Sequence, residues 1–301
     1  MDLDDVKADT SGFEDRRGQQ STGGGLRGLP IGRGGKAGIG GVVLTLLIVV
    51  AANVFGGGGG GGTGGFDPST VLDQLGGGGA SSGSAPAAPA SAKDAQVRFV
   101  GQVRTLLNNY WSSSLADSGK RFAKPSFVVF DSPTPTGCGV GEPEAGPFYC
   151  PADQKVYLDF AFYDRLQKQL GFGGDFAEAY VIAHEYGHHI QYLLGINAQV
   201  QAESRGASKA DANALSVQLE LQADCFAGSW AHSAYGEGRV QPGDIDEALR
   251  AAAAVGDDAI QQKTQGRVDR ESFTHGSSAD RQTWFRTGFD SGDPSRCDTF
   301  V

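Results

Sequence analysis

Cysteine, histidine and charge are each scarce in this chain, and each scarcity excludes something. There are four Cys and no C-x-x-C pair, which disfavours a cysteine-based structural metal site and favours two disulfides. Only five His occur, all between positions 184 and 275. The formal net charge is -10, with no basic stripe, which argues against nucleic acid as a partner. Residues 1–37 carry six acidic and six basic side chains, so the acidic excess lies beyond them. No repeat of a glycan-binding kind is recognisable.

Charge is missing altogether from residues 37–66, and no Lys or Arg lies between Lys36 and Lys93. The apolar part of that stretch, Gly38–Phe55, would rise about 27 Å as a helix, enough for one membrane span. Arg27, Arg33 and Lys36 precede it, and the positive-inside rule then puts residues 1–37 in the cytoplasm and the rest outside. The expected layout is a mostly disordered cytoplasmic segment (1–37), a transmembrane anchor (38–55), a Gly/Ser/Ala/Pro-rich tether (56–94) and an ordered domain (95–301). A cleaved signal peptide ending near Val50-Ala51-Ala52 is the rival, but the acidic start and length of the preceding region are unlike one.

The positive signal is His184-Glu185-Tyr186-Gly187-His188. On a helix, two His four residues apart share a face and can hold one metal ion, with the intervening Glu placed to take a proton from water. The flanks support a buried helix over 176–194: Phe176, Ala179, Tyr180, Ile182, Ala183, Ile190 and Leu193 are apolar, Asp175 and Glu178 have capping-box spacing, and Gly195 offers a stop. A buried helix carrying two His and a Glu needs something to satisfy them, and one Zn²⁺ does so. A second helix, 211–235, supplies Glu220 and Asp224, again four apart. Glu220 is the expected third ligand, and Asp224 the expected acceptor for the distal N–H of a ligand His. The alternative, satisfied core histidines and a solvated acidic face, fits less well because both helices are flanked by apolar residues.

These residues resemble a gluzincin, a zinc peptidase with two His and a Glu as ligands and Glu185 as base. The segments E-D-R-R-G (Glu14–Gly18), G-C-G, G-P-F-Y-C-P, K-V-Y-L-D, H-E-Y-G-H-H-I-Q, A-D-C-F-A-G and C-D-T-F resemble the bacterial putative neutral zinc metallopeptidase family across most of the chain outside the tether. The resemblance implies a peptidase with a protein or peptide substrate. Thr274-His275 and Arg281 have the spacing of a cleft-lining His and Arg in prenyl-protein zincins, though Gly276 stands where Pro is usual. His275 could donate to the developing oxyanion, or be a plain loop His before a helix capped by Ser277 or Ser278. Arg281 could equally hold a structural carboxylate. His189 points away around its helix, and His232 lies near the end of the second.

The order of elements reads as α+β, zincin-like, with a small sheet over the metal-binding helices and one transmembrane helix before them. A helix is expected over 97–111, with Val97, Val100, Val103, Leu107 and Tyr110 on one face; strands over 127–130, 147–150 and 156–160; and further helices over 161–170, 244–262 and 278–289. Val156–Phe160 is the candidate edge strand for an extended substrate, or else a plain core strand. Cys138 and Cys150 bracket a Pro/Gly-rich loop, while Cys225 lies on the Glu helix and Cys297 near the C-terminus. Pairing them in that way is natural, but sequence alone leaves three connectivities. Two functions remain: a membrane-anchored extracytoplasmic zinc endopeptidase, or a catalytically idle zinc-bearing module that holds a partner chain. Intact Glu185 favours the first. An amidase on cell-wall peptide stems is a third, weaker option.

Overall fold

The computed structural model describes residues 1–19, 88–89, 94–163 and 174–300. Its first helix, α1 (Ala95–Asp117), starts where the Asp94 carboxylate accepts from the Gln96 and Val97 N–H groups. Val97, Val100, Val103 and Leu107 are fully buried along its inner face, and Trp111 stands edge-on to Phe226 of the second metal-site helix.

Five short strands form one mixed sheet in the order β2-β1-β3-β7-β6: β1 (Phe13–Asp15), β2 (Ala88–Pro89), β3 (Ser126–Val129), β6 (Phe148–Cys150) and β7 (Lys155–Leu158). Strands β1, β3 and β7 are mutually parallel, and β6 and β7 form an antiparallel hairpin. A second, two-stranded sheet pairs β4 (Thr134–Thr136) with β5 (Gly139–Gly141). The Cys138–Cys150 bond ties that small hairpin to β6, and Cys225–Cys297 ties the C-terminal tail to the helix that carries Glu220. This is the natural pairing of the four cysteines.

The N-terminal segment corrects the expected layout. Residues 1–37 were expected to be mostly disordered and separated from the rest by a membrane. Instead β1 is an interior strand whose Phe13, Glu14 and Asp15 stand opposite Phe127, Val128 and Val129. Phe13 stacks on Phe127 with ring centroids 5.0 Å apart. The E-D-R-R-G segment is the anchor. Arg17 bridges Asp15 and the helix-capping Asp94, Arg16 bridges Glu14 and Thr134, and the Gly18 N–H reaches the Asp131 carboxylate. Residues that share a hydrogen-bonded sheet lie on the same side of any bilayer, so a single-pass protein with its N-terminus inside and its catalytic domain outside is overturned. Among the described residues no helix is long and apolar enough to cross a membrane. The expected span, 38–55, and nearly all of the tether lie outside the described residues, as does most of the helix expected over 161–170.

After the sheet come α2 (Asp175–Leu194), α3 (Ile196–Ser204), α4 (Lys209–Gly236), α5 (Asp244–Ala254), α6 (Asp257–Gln265) and α7 (Ser278–Ser291). The domain is thus mostly helical, with small sheets. The single helix expected over 244–262 is two, because Gly256 lies so close to Ser278 that a Cβ there would overlap it. The capping-box spacing of Asp175 and Glu178 does not act as one, and neither does the same spacing at Asp244 and Glu247. The residues before α2 and α5 are Gly174 and Gly243, without side-chain caps, and the Phe176 N–H is received by Glu247 of α5. Helices α4 and α7 touch backbone to backbone: a Cβ on Gly228 would overlap the Phe285 carbonyl, and one on Gly288 the Cys225 carbonyl. This close approach brings Arg281 onto Asp224.

Candidate metal centre

Helices α2 and α4 cross where each carries its polar residues. Gly187 faces the Ala223 backbone, and a Cβ there would meet it at 3.1 Å, so the glycine lets the two helices close. Ligand atoms of His184, His188 and Glu220 then lie within 4.8 Å of one another. The Nε2 atoms face Glu220 from both sides, His184 at 3.2 Å from Oε2 and His188 at 3.4 Å from Oε1.

The other nitrogen of each ring is taken. His184 Nδ1 lies 2.8 Å from Asp224 Oδ1, and His188 Nδ1 lies 2.9 Å from Gln191 Oε1. With Nδ1–H donating outward, Nε2 is the nitrogen that each ring turns towards Glu220 and leaves for a metal ion. Two imidazole nitrogens and one carboxylate are a donor set that suits Zn²⁺. Asp224 is fully buried and, besides the His184 ring, receives three further polar contacts: Tyr180 Oη at 2.5 Å, Arg281 Nε at 2.7 Å and Arg281 Nη2 at 3.0 Å. Asp224 and Arg281 therefore orient His184 together, and Arg281 is the structural partner of a carboxylate.

The electrostatics follow from burial and close charge. Burial pushes His184 down, but the charge and hydrogen bond of Asp224, with Glu220 behind them, lift it to about 10 in the metal-free protein. Burial likewise pushes Glu220 up, but the flanking His188 and His184 hold it well below the usual carboxylate range. Burial raises Asp224, yet Arg281 and His184 outweigh it and bring it to about 2. Glu185 is different: burial raises it, and the two imidazoles offset that only in part. A carboxyl held high beside a metal site suits proton transfer.

The backbone N–H of Tyr149 also lies towards Glu185 and helps to lower it. Tyr149 is the middle residue of β6, the outer strand of the sheet at this end. The expected edge strand, Val156–Phe160, is not at an edge: β7 is paired on both sides, by β3 and β6. Among the described residues, the outer strand beside the metal-site helix is β6. His189 fixes that strand. Its ring is fully buried, with Nδ1 3.0 Å from Tyr149 Oη and Nε2 2.7 Å from the Ala123 carbonyl. His232 is exposed at the far end of α4.

His275 comes to the same place. Its loop lies on Val217 and Leu221 of α4, three residues before and one after Glu220, and Gly276 takes φ +91° there, which Pro could not. Asp257, the first residue of α6, gathers the loop: its Oδ2 accepts the N–H groups of Thr274, His275 and Gly276, and its Oδ1 lies 3.1 Å from His275 Nδ1. Burial lowers His275, but the Asp257 hydrogen bond and the Glu220 charge raise it overall. Ser277 caps α7 through the Asp280 N–H. Sequence reading missed Asp257, Tyr180, Gln191 and Tyr149; Tyr180, four residues before His184, and Gln191, three after His188, stand at helical spacing that could have marked them, whereas Asp257 and Tyr149 arrive through tertiary folding.

A family model described as putative neutral zinc metallopeptidase matches residues 4–300. Uncharacterized protein YpfJ of Escherichia coli (strain K12) is 50% identical over 208 residues, which cover 69% of this chain and 72% of that protein. Uncharacterized protein Mb2605 of Mycobacterium bovis is 47% identical over 190 residues, 60% of this chain and 63% of that protein. No solved structure matches the chain.

Proposed function

The chain belongs to the putative neutral zinc metallopeptidase family, and from that premise we propose that it is a zinc-dependent endopeptidase acting on peptide or protein substrates. The observation that carries the reading is the convergence of His184, His188 and Glu220, with both ring Nδ1 atoms engaged elsewhere. These three would hold one catalytic Zn²⁺. When bound, the ion would lower the pKa of water and polarise the scissile carbonyl.

The chain's own residues do the rest. Glu185, held high by burial, takes a proton from water and returns it to the leaving amine nitrogen. His275, oriented by Asp257, donates to the oxygen on which charge develops. Asp224 fixes the His184 tautomer, with Arg281 and Tyr180 holding Asp224 in turn. An extended substrate adds to the outer edge of β6, where Tyr149 already turns its N–H towards the site.

The test uses the full chain, oxidised and loaded with zinc, on an unfolded protein substrate. Glu185→Gln should keep its zinc and lose cleavage by about 10²–10⁴-fold, the range that general base catalysis contributes. A wild-type chain that holds zinc and cuts nothing, or a variant that cuts as fast as wild type, sinks the proposal.

A further inference from the structure

Between the Cys225–Cys297 disulfide and the metal site runs an unbroken chain of buried amides. Gln222 Nε2 donates to the Cys297 carbonyl at 2.9 Å. Gln191 Nε2 lies 3.0 Å from Gln222 Oε1 and 2.7 Å from the Leu219 carbonyl. Gln191 Oε1 lies 2.9 Å from His188 Nδ1. Gln191 is wholly buried and Gln222 is 5% exposed, so neither amide has a ready substitute in water.

The direction of this chain is fixed at both ends. A backbone carbonyl can only accept, so the Leu219 and Cys297 oxygens require the amide nitrogens to face them. Each Gln is then left with its oxygen towards the next donor, and the last oxygen, of Gln191, faces His188. His188 Nδ1 must therefore carry a proton and donate it, which leaves Nε2 as the nitrogen that faces Glu220 and would bind the metal. The anchor is also fixed: Cys297 is bonded to Cys225 of the same helix as Gln222, and Thr299 Oγ1 donates to the Gln218 carbonyl at 2.7 Å.

We propose that Gln191 and Gln222 are positioning residues for the metal ligand His188, and that the disulfide-held C-terminal tail sets zinc affinity through them. His184 is oriented by a charged partner, Asp224. His188 has this neutral relay in its place, and the relay ends on a carbonyl that stays put only while the tail is pinned. The inference rests on the metal-site reading given above.

Zinc affinity of the full chain, measured by competition with a chelating indicator, tests it. Gln191→Met keeps the volume and removes the acceptor, and should weaken zinc binding by about 10–100-fold, the usual cost of losing a partner that orients a ligand. Gln222→Met should weaken it less, and should add nothing in the Gln191→Met background. The Cys225→Ala/Cys297→Ala protein should lose affinity to the same degree as Gln222→Met, with no further loss when the two are combined. Gln191→Glu still offers an acceptor to His188 but sets a carboxylate oxygen against the Leu219 carbonyl and Gln222 Oε1, so it too should weaken zinc binding and be indifferent to Gln222→Met. In the zinc-loaded wild type, the His188 Nδ1 proton should exchange slowly with solvent, and rapidly in Gln191→Met. Gln191→Met affinity within twofold of wild type overturns the proposal, as does a disulfide effect that persists unchanged in Gln222→Met. A wild-type chain that binds no zinc instead overturns the metal site itself, and the two failures are told apart by that single control.

Discussion

Asp224 shows how much of this site depends on one side chain. Its two oxygens satisfy Tyr180, Arg281 and His184, all of them buried. Asp224→Ala should cost about 3–5 kcal/mol in urea unfolding, because it strands the buried Arg281 cation, whereas Asp224→Asn should cost less while still loosening zinc. A second carboxylate acts at a distance from the metal. Asp9 meets Lys124 at 3.1 Å and Asn108 at 3.0 Å, and the Ser11 hydroxyl and Arg104 also reach it. Burial raises it, but these partners prevail and bring it to about 2. A carboxylate lowered in the folded state stabilises fully above its unfolded value, near 4, and that contribution is lost as pH falls towards 2. Urea midpoints between pH 5 and 2 should fall more steeply for wild type than for Asp9→Asn. At this scale the H-E-x-x-H spacing and the Glu220/Asp224 pair are legible, since four residues is one helical turn. Asp257 and Gln222 are not: each meets its partner through tertiary folding alone.

Among the elements, the crossing of α4 and α7 is the tightest contact, and its two glycines carry it. Gly288→Ala should destabilise the protein by about 1–3 kcal/mol or more, since neither backbone can yield without moving the other. The same variant should release zinc more readily, because α7 brings Arg281 to Asp224; a thermal melt with and without chelator measures both effects. The helices here were readable from apolar spacing, α1, α2 and α4 most clearly. Their ends were less so. Asp175 and Asp244 look like caps, yet each is the first helical residue, and the groups at the start of α2 are met from another helix. The break at Gly256 depends on Ser278 pressing against it, which no local pattern records. Strand β7 reads as apolar for the reason that hid its position: with neighbours on both sides, it is a core strand and not an edge.

In the whole molecule, the first nineteen residues are part of the metal-site domain and not an appendage. Strand β1 is only three residues, Phe13-Glu14-Asp15, and two of them are charged, so no periodicity announces it. Its acidic residues are tolerated because Arg16, Arg17 and Lys155 pair with them. A protein starting at residue 95 should therefore fail to fold cooperatively, by circular dichroism and denaturant titration. One that keeps 1–19 and joins them to 88 by a short loop should fold, because β1 and β2 are antiparallel neighbours whose ends already meet. The pairing of β1 with β3 also has a consequence in time. During synthesis β1 is made first, and its parallel partner emerges more than a hundred residues later. At roughly 5–20 residues per second, Phe13 waits on the order of 5–20 s for Phe127. The nascent chain carries an unmatched strand through that interval, and the ribosome's pace, as well as the final contacts, decides how often it finds the right neighbour.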